Sequence, residues 1–388
     1  MKSKYTHLIC ALALYFNQSI EASSLPIDLK ESPNVTLIGN GLGSRMQLFG
    51  FFETSLYSTQ PAANIRFRNL CDDGNTAGFR PHSARNNPFA FKGAQSFHPQ
   101  LSEQKDRWGS GHTGKGNFKT PDSWLTELKT DTLIAFFGYN EAFSGEAGLT
   151  NFKEEVAAFV KHTKNQRYNA KSAPEIVLVS PIAFDPSTQP SADIDTASYN
   201  KNLELYTKAL KEVSENEKVA FIDLFAPSKK WFQAAPRMLT SNGFQLNQDG
   251  YEKLSQELST RLTGQNLKLE STTTKKIHTA VLDKNWLWSN YYKIPNGVHV
   301  FGQRHKPFGP KNYPFELQKL EEMLDNRDDA INALAQKKRF DLKAADARTS
   351  PLPEVKTNFK TSRKNGSKTY LYGEDALKEF HLPKDFQM

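Results

Sequence analysis

Four short apolar runs, at residues 35–38, 132–137, 176–180 and 219–224, stand out from a largely polar chain. Each gives way to turn-forming residues and then to a helix-compatible stretch. The runs are dense in β-branched and aromatic residues with no polar alternation, the pattern of strands buried on both faces in a parallel sheet. Residues 64–69 make a weaker fifth candidate. Between the runs, Phe152, Val156, Phe159 and Val160 recur at helical spacing and predict a helix over 151–162. Leu203, Tyr206, Leu210 and Val213 do the same over 199–213, and a last helix is expected over 250–262. Strand and helix in alternation predict an α/β fold over residues 30–264: a doubly wound parallel sheet in three layers, like flavodoxin.

Residues 77–130 interrupt this rhythm with a segment rich in Gly, Asn, His and Pro, read as a long loop insertion with a functional or unstructured character. After Gly264 the character changes again. A Thr- and Lys-rich linker leads to an aromatic cluster, Trp286, Trp288, Tyr291 and Tyr292, and then to a charged helix over 315–338. Residues 265–340 thus form an appended aromatic and helical region, in which the aromatics serve to dock it, with sugar stacking as the alternative. Residues 341–388 read as a linker-like tail, the stretch 340–368 being polar throughout.

At the amino terminus, Lys2 and Lys4 precede an apolar run over 8–16, and Ala22, Ser23 and Ser24 follow. That order predicts a signal peptide over 1–22 and a secreted or periplasmic protein. No later segment approaches the roughly 20 apolar residues needed to span a bilayer. Removal of the leader takes Cys10 with it and leaves Cys71 alone, so packing rather than an intramolecular disulfide must hold the fold. A net charge of +8 raises the question of an anionic partner, but the lysines are interspersed with carboxylates. A solvated basic surface fits better than nucleic-acid binding.

In open parallel sheets ligands bind beyond the carboxyl ends of the strands. There the chain reads Gly39-Asn40-Gly41-Leu42, then Gly138-Tyr139-Asn140-Glu141; ahead of the last helix it reads Asn242-Gly243-Phe244-Gln245. The glycine-rich stretch 109–116 nearly fits a phosphate-binding loop, yet it lacks the preceding strand and the magnesium-binding hydroxyl, since Gly116 stands there. His82, His98, His299 and His305 have no metal-ligand spacing, and no Cys-x-x-Cys-His occurs. Neither a metal nor a cofactor is expected.

The three stretches resemble, in order, blocks of the SGNH (GDSL-type) hydrolases: Gly-Asp-Ser-Leu, Gly-x-Asn-Asp and Asp-x-x-His. The family's glycine block is matched loosely by 69–76, with Gly74 as its equivalent. The resemblance spans 33–262 and implies an esterase-type site in which serine attacks, histidine takes the proton and aspartate orients the histidine. At those positions stand Gly41, Gln245 and Asn242, so the triad is degenerate. The oxyanion donors carry over as the amides of Gly41 and Gly74 and the side chain of Asn140, with Asn40 beside them. Ser44, one helical turn beyond Gly41, is expected to point away from the strand end.

A second resemblance lies in 286–335 and 374–386, which look like the stretch that follows a GDSL-like module in large secreted bacterial proteins. There it leads into a propeller dehydrogenase and a c-type haem module. It implies a dehydrogenase as a partner. Three functions stay open on these residues: binding of a carbohydrate or acylated glycan without turnover, ester hydrolysis through a rearranged site, and structural docking.

Overall fold

The computed structural model describes residues 27–31, 33–80, 88–102, 118–187, 195–235, 237–265, 270–294, 297–301, 309–353, 373–378, 380–381 and 384. The leader at 1–22, the glycine-rich stretch 109–116, His82 and His305 lie outside the described residues. Two units are distinguished, one running to Ser350 and one over Pro351–Met388.

All four apolar runs form strands, and the weak fifth candidate forms another. They are β1 (Asn34–Gly39), β2 (Arg66–Asn69), β3 (Thr132–Phe136), β4 (Glu175–Val179) and β5 (Ala220–Ile222). The sheet is parallel throughout, in the order β2-β1-β3-β4-β5, with Leu37 beside Ile134 and Ile134 beside Val177. This is the flavodoxin-like order of a doubly wound sheet, whose direction of winding reverses between β1 and β3. Leu37, Ile134 and Val177 are buried, as the continuous apolar runs require.

Flanking helices pack in two groups. α1 (Gly41–Phe49) and α2 (Phe51–Thr59) follow β1, and α3 (Pro121–Glu127) precedes β3. α4 (Leu149–Lys164) packs on α5 (Thr196–Glu217); α6 (Phe225–Ala234) follows β5. α7 (Gln248–Thr263) packs on α2, as does α8 (Thr272–Tyr292), which in turn packs on α9 (Gly309–Ala335). α5 and α7 begin before their apolar stripes because Asp195 and Asn247 accept the first free backbone N–H groups, at 3.1 Å from Ser198 N and 3.0 Å from Gly250 N.

β2 is an edge strand, and its outward carbonyls would stand exposed. Side chains of α8 and α9 cap them in register. Asn332 Nδ2 donates to Ile65 O at 3.0 Å, Lys284 Nζ to Phe67 O at 2.9 Å and Trp288 Nε1 to Asn69 O at 2.8 Å. Trp288, Tyr291 and Tyr292 also pack edge-on against Trp124 of α3. Three of the four clustered aromatics therefore dock the region, and only Trp286 is exposed. The expected linker over 340–368 is helical at its start: α10 (Leu342–Ala347), capped by Asp341, brings Asp346 to Arg327 at 3.2 Å. The charge that made these residues look unstructured is used in ion pairing to α9.

The expected long loop over 77–130 carries local structure in its described parts. Its first portion is tied to α4 by Glu155, whose Oε1 accepts from Gly78 N at 2.6 Å, from Thr76 Oγ1 at 2.7 Å and meets His98 Nε2 at 2.8 Å. Within the described residues no group of three His, Cys, Asp or Glu side chains is placed to hold a metal. No described helix is long and apolar enough to cross a membrane.

Candidate functional site

A pocket of about 170 Å³ opens at the carboxyl edge of the sheet, where Gly41 follows β1, Tyr139 and Asn140 follow β3, and Pro181 and Ile182 follow β4. Phe244, Gln245 and Tyr251 close it from the loop before α7 and from α7 itself. This is the switch point at which an open α/β sheet leaves a crevice. Its size is comparable to a cavity of roughly 150 Å³ that takes a benzene-sized group.

The turn that delivers Gly41 depends on its neighbours. Gly39 sits at φ 117°, and Asn40 N donates to Phe136 O at 3.1 Å, which pins the chain against β3 as it leaves the sheet. Asn40 Oδ1 then accepts from Leu42 N at 3.1 Å and starts α1. Asn40 is thus a buried helix cap rather than a pocket wall. Gly41 lines the pocket, and a Cβ there would lie 2.9 Å from Asp73 Oδ1. The exposed carboxylate of Asp73 stands there and would have to turn aside for a side chain at 41.

The structure brings Gly41, Asn140 and Gln245 into one lining, across about two hundred residues of sequence. Other expectations change. Asn140 donates through Nδ2 to Asp73 O at 2.8 Å and to Asn75 O at 2.9 Å, so both its amide hydrogens fix the 73–75 turn and neither is free for an oxyanion. Gly74 is absent from the lining; its neighbour Asp73 forms that wall. Asn242 stands behind Gln245, accepting from Gln245 N at 2.9 Å and donating to its Oε1 at 3.3 Å. Ser44 Oγ meets Lys293 Nζ at 3.0 Å, away from the lining.

Among the lining residues that escaped the sequence reading are Arg45, Asp73, Tyr139, Phe244 and Tyr251. Arg45 lies four residues after Gly41 on α1, and the others stand inside or beside the recognised blocks, so position alone could have flagged them. The Tyr139 and Phe244 rings stack, with centroids 5.8 Å apart. Burial pushes the Tyr139 phenol up to about 12 and raises that of Tyr251 further. Both are neutral hydroxyls at neutral pH.

Beside the pocket, Glu141 Oε2 accepts from Gly138 N at 2.9 Å, while its Oε1 is sealed from solvent with no partner among the described residues. Burial, reinforced by the nearby Glu155 charge, pushes this carboxyl up to about 8. The folded chain therefore keeps a proton that the unfolded chain loses near 4.5. Its stabilising effect is complete below about pH 4.5 and is lost as pH rises to about 8, by on the order of a few kcal/mol. Urea unfolding at pH 5 and pH 8.5 tests this. Glu141→Gln should abolish most of the decline, and equal slopes in both proteins would refute the assignment.

The profile of the GDSL-like lipase/acylhydrolase family matches residues 54–253, slightly more than half of the chain. Among solved structures, a GDSL-like lipase from Parabacteroides merdae is 16% identical, with 57% of this chain and 91% of that one covered at a TM-score of 0.38. A catalytic mutant of an acetylxylan esterase from Geobacillus stearothermophilus is 13% identical, covering 58% and 91% at 0.38. An alpha/beta hydrolase enzyme from the metagenome of Lake Arreo, Spain, is 12% identical, covering 58% and 92% at 0.37. No curated protein matches. The extent of the profile match establishes the assignment: this chain belongs to the GDSL-like lipase/acylhydrolase family.

Proposed function

We propose that the Gly41 pocket binds a carbohydrate or acylated glycan and leaves its ester bonds intact. One observation carries this reading: the lining holds no Ser, Thr, Cys or His among the described residues. Attack on an ester needs an activated nucleophile and a base within hydrogen-bond reach. Gly41 has no side chain, Gln245 takes up no proton, and Asn242 brings no negative charge to orient a base. The phenols of Tyr139 and Tyr251 hold their protons too firmly to stand in.

What remains suits sugar binding. Stacked aromatic faces accept the C–H face of a sugar ring, while Gln245, Asp73 and Arg45 offer donors and acceptors to its hydroxyls. Gln245 Nε2 has no partner among the described residues. The order of charged, apolar and small residues over 1–22, read as a leader, supports a periplasmic or extracellular setting for this reading. The resemblance of 286–335 and 374–386 supports a dehydrogenase partner to which a bound glycan would pass. Ester hydrolysis through a rearranged site is the second reading, favoured by Asp73, whose carboxylate lies at the start of α1 where it could deprotonate water.

The test is to incubate the purified protein with short-chain nitrophenyl esters and acetylated polysaccharides and to titrate it with the same polysaccharides. The expected result is millimolar or tighter binding with ester release no faster than buffer. Release above buffer would establish the second reading; absence of any binding would refute the glycan site. Gly41→Ser with Gln245→His and Asn242→Asp, which supplies a nucleophile, a base and an orienting carboxylate, is expected to raise ester release above the unmodified protein once the exposed Asp73 side chain turns aside from residue 41.

A further inference from the structure

Arg45 is half-buried, and it is placed differently from Arg68 and Arg327. Arg68 is buried and pairs through two nitrogens with Asp328, at 3.1 and 2.7 Å. Arg327 reaches Asp283 at 2.8 Å and Asp346 at 3.2 Å. Arg45 has no ion-pair partner among the described residues, although its Nε is sealed from solvent and has no acceptor. It lies beside the Tyr251 hydroxyl, whose own hydrogen goes to Leu42 O at 3.1 Å. A guanidinium carries five N–H donors, and one phenol oxygen cannot satisfy them. Sealing even part of such a group without a counter-charge is unfavourable, which is why enclosed charges are ordinarily paired.

Position adds direction. Gly41 and Arg45 are four residues apart on α1 and so share one helix face, separated by about 6 Å of rise. Both line the same pocket. The one carboxylate in that lining, Asp73, is exposed on a turn and lies against Gly41 instead of pairing with Arg45. The exposed carboxylate is screened by solvent more than the half-buried cation, whose Nε is sealed, so the cation has the larger influence on the inner part of the pocket.

We propose that the pocket selects a sugar bearing an acidic group, whose anion pairs with Arg45. This rests on the glycan reading above and sharpens it to a class: uronic acids or sulfated sugars rather than neutral ones. A carboxylate or sulfate accepts two guanidinium N–H groups at once, which fixes the orientation of the sugar in addition to holding it. Asp73 opposes the same ligand through like charge at the Gly41 end, and its side chain must swing toward solvent when the site fills.

Titration calorimetry with galacturonic acid, galactose 6-sulfate and galactose tests this on the full chain. A charge-assisted contact predicts that at least one acidic sugar binds about 10-fold or more tightly than galactose. Arg45→Gln should bring that ratio near one, Arg45→Lys should retain part of it, and Asp73→Asn should increase it. The lysine variant separates loss of the cation from loss of the fold. Comparison of the carboxylate and sulfate arms identifies which anion fits. Galactose binding as tightly as both acidic sugars would overturn this inference alone; no binding by any of the three would overturn the glycan reading with it.

Discussion

Alanine at Gly39 is expected to lower the unfolding free energy by about 2–6 kcal/mol. Two effects add. The residue sits at φ 117°, which L side chains rarely adopt, and a Cβ there would fall 2.1 Å from Phe136 O, a backbone atom that cannot turn aside. The strain contributes about 1–3 kcal/mol and the overlap a similar amount, because β1 must move away from β3. Gly93 supplies the control: its φ is 94°, yet a Cβ there would meet nothing within 4 Å. Gly93→Ala should therefore show the conformational part alone, about 1–3 kcal/mol. Chemical unfolding of both variants separates the terms, and equal losses would show that the close approach of β1 to β3 has no energetic weight. Since Gly39 precedes Asn40 and Gly41, ligand binding should fall with stability.

Methionine at Lys284 is expected to destabilise the chain by about 3–5 kcal/mol. Lys284 and Glu53 form an ion pair buried from solvent, and Lys284 Nζ also caps the edge strand at Phe67 O. Without the ammonium, Glu53 is left charged in an apolar setting where burial already raises its pKa. Its folded pKa lies above its unfolded value, so the deficit should shrink as pH falls toward 4.5 and widen above it. Glu53→Gln in the Lys284→Met background should recover most of the loss, since two apolar or neutral groups avoid the uncompensated charge. A deficit independent of pH, or a double variant no better than the single, would show that packing rather than charge accounts for the loss. The same pair orients α2 against α8, so these variants also report how firmly the carboxy-terminal helices are held to the sheet edge.

The strands were legible because burial on both faces writes an uninterrupted run of β-branched and aromatic residues, and four such runs became β1, β3, β4 and β5. β2 was faint for a physical reason: Arg66 and Arg68 alternate with apolar residues in it, as an edge strand permits, and Arg68 is acceptable inside only because Asp328 meets it from α9. Helix ends beyond the apolar stripes were less legible because caps such as Asp195 act through single hydrogen bonds. Residues 341–350 looked like linker because composition records their charge but not the arginine that charge finds.

The site shows the same division. Sequence by itself determined the parallel α/β scaffold and the glycine turn after β1, since each follows from local composition and order. Only the tertiary structure decided that Asn140 gives its amide to the 73–75 turn, that Asp73 stands against Gly41 and that Arg45 has no counter-charge among the described residues. The pairing of Glu53 with Lys284 spans 231 residues. Such contacts depend on how sheet order returns distant segments to one another, and no periodicity along the chain encodes which charge will meet which.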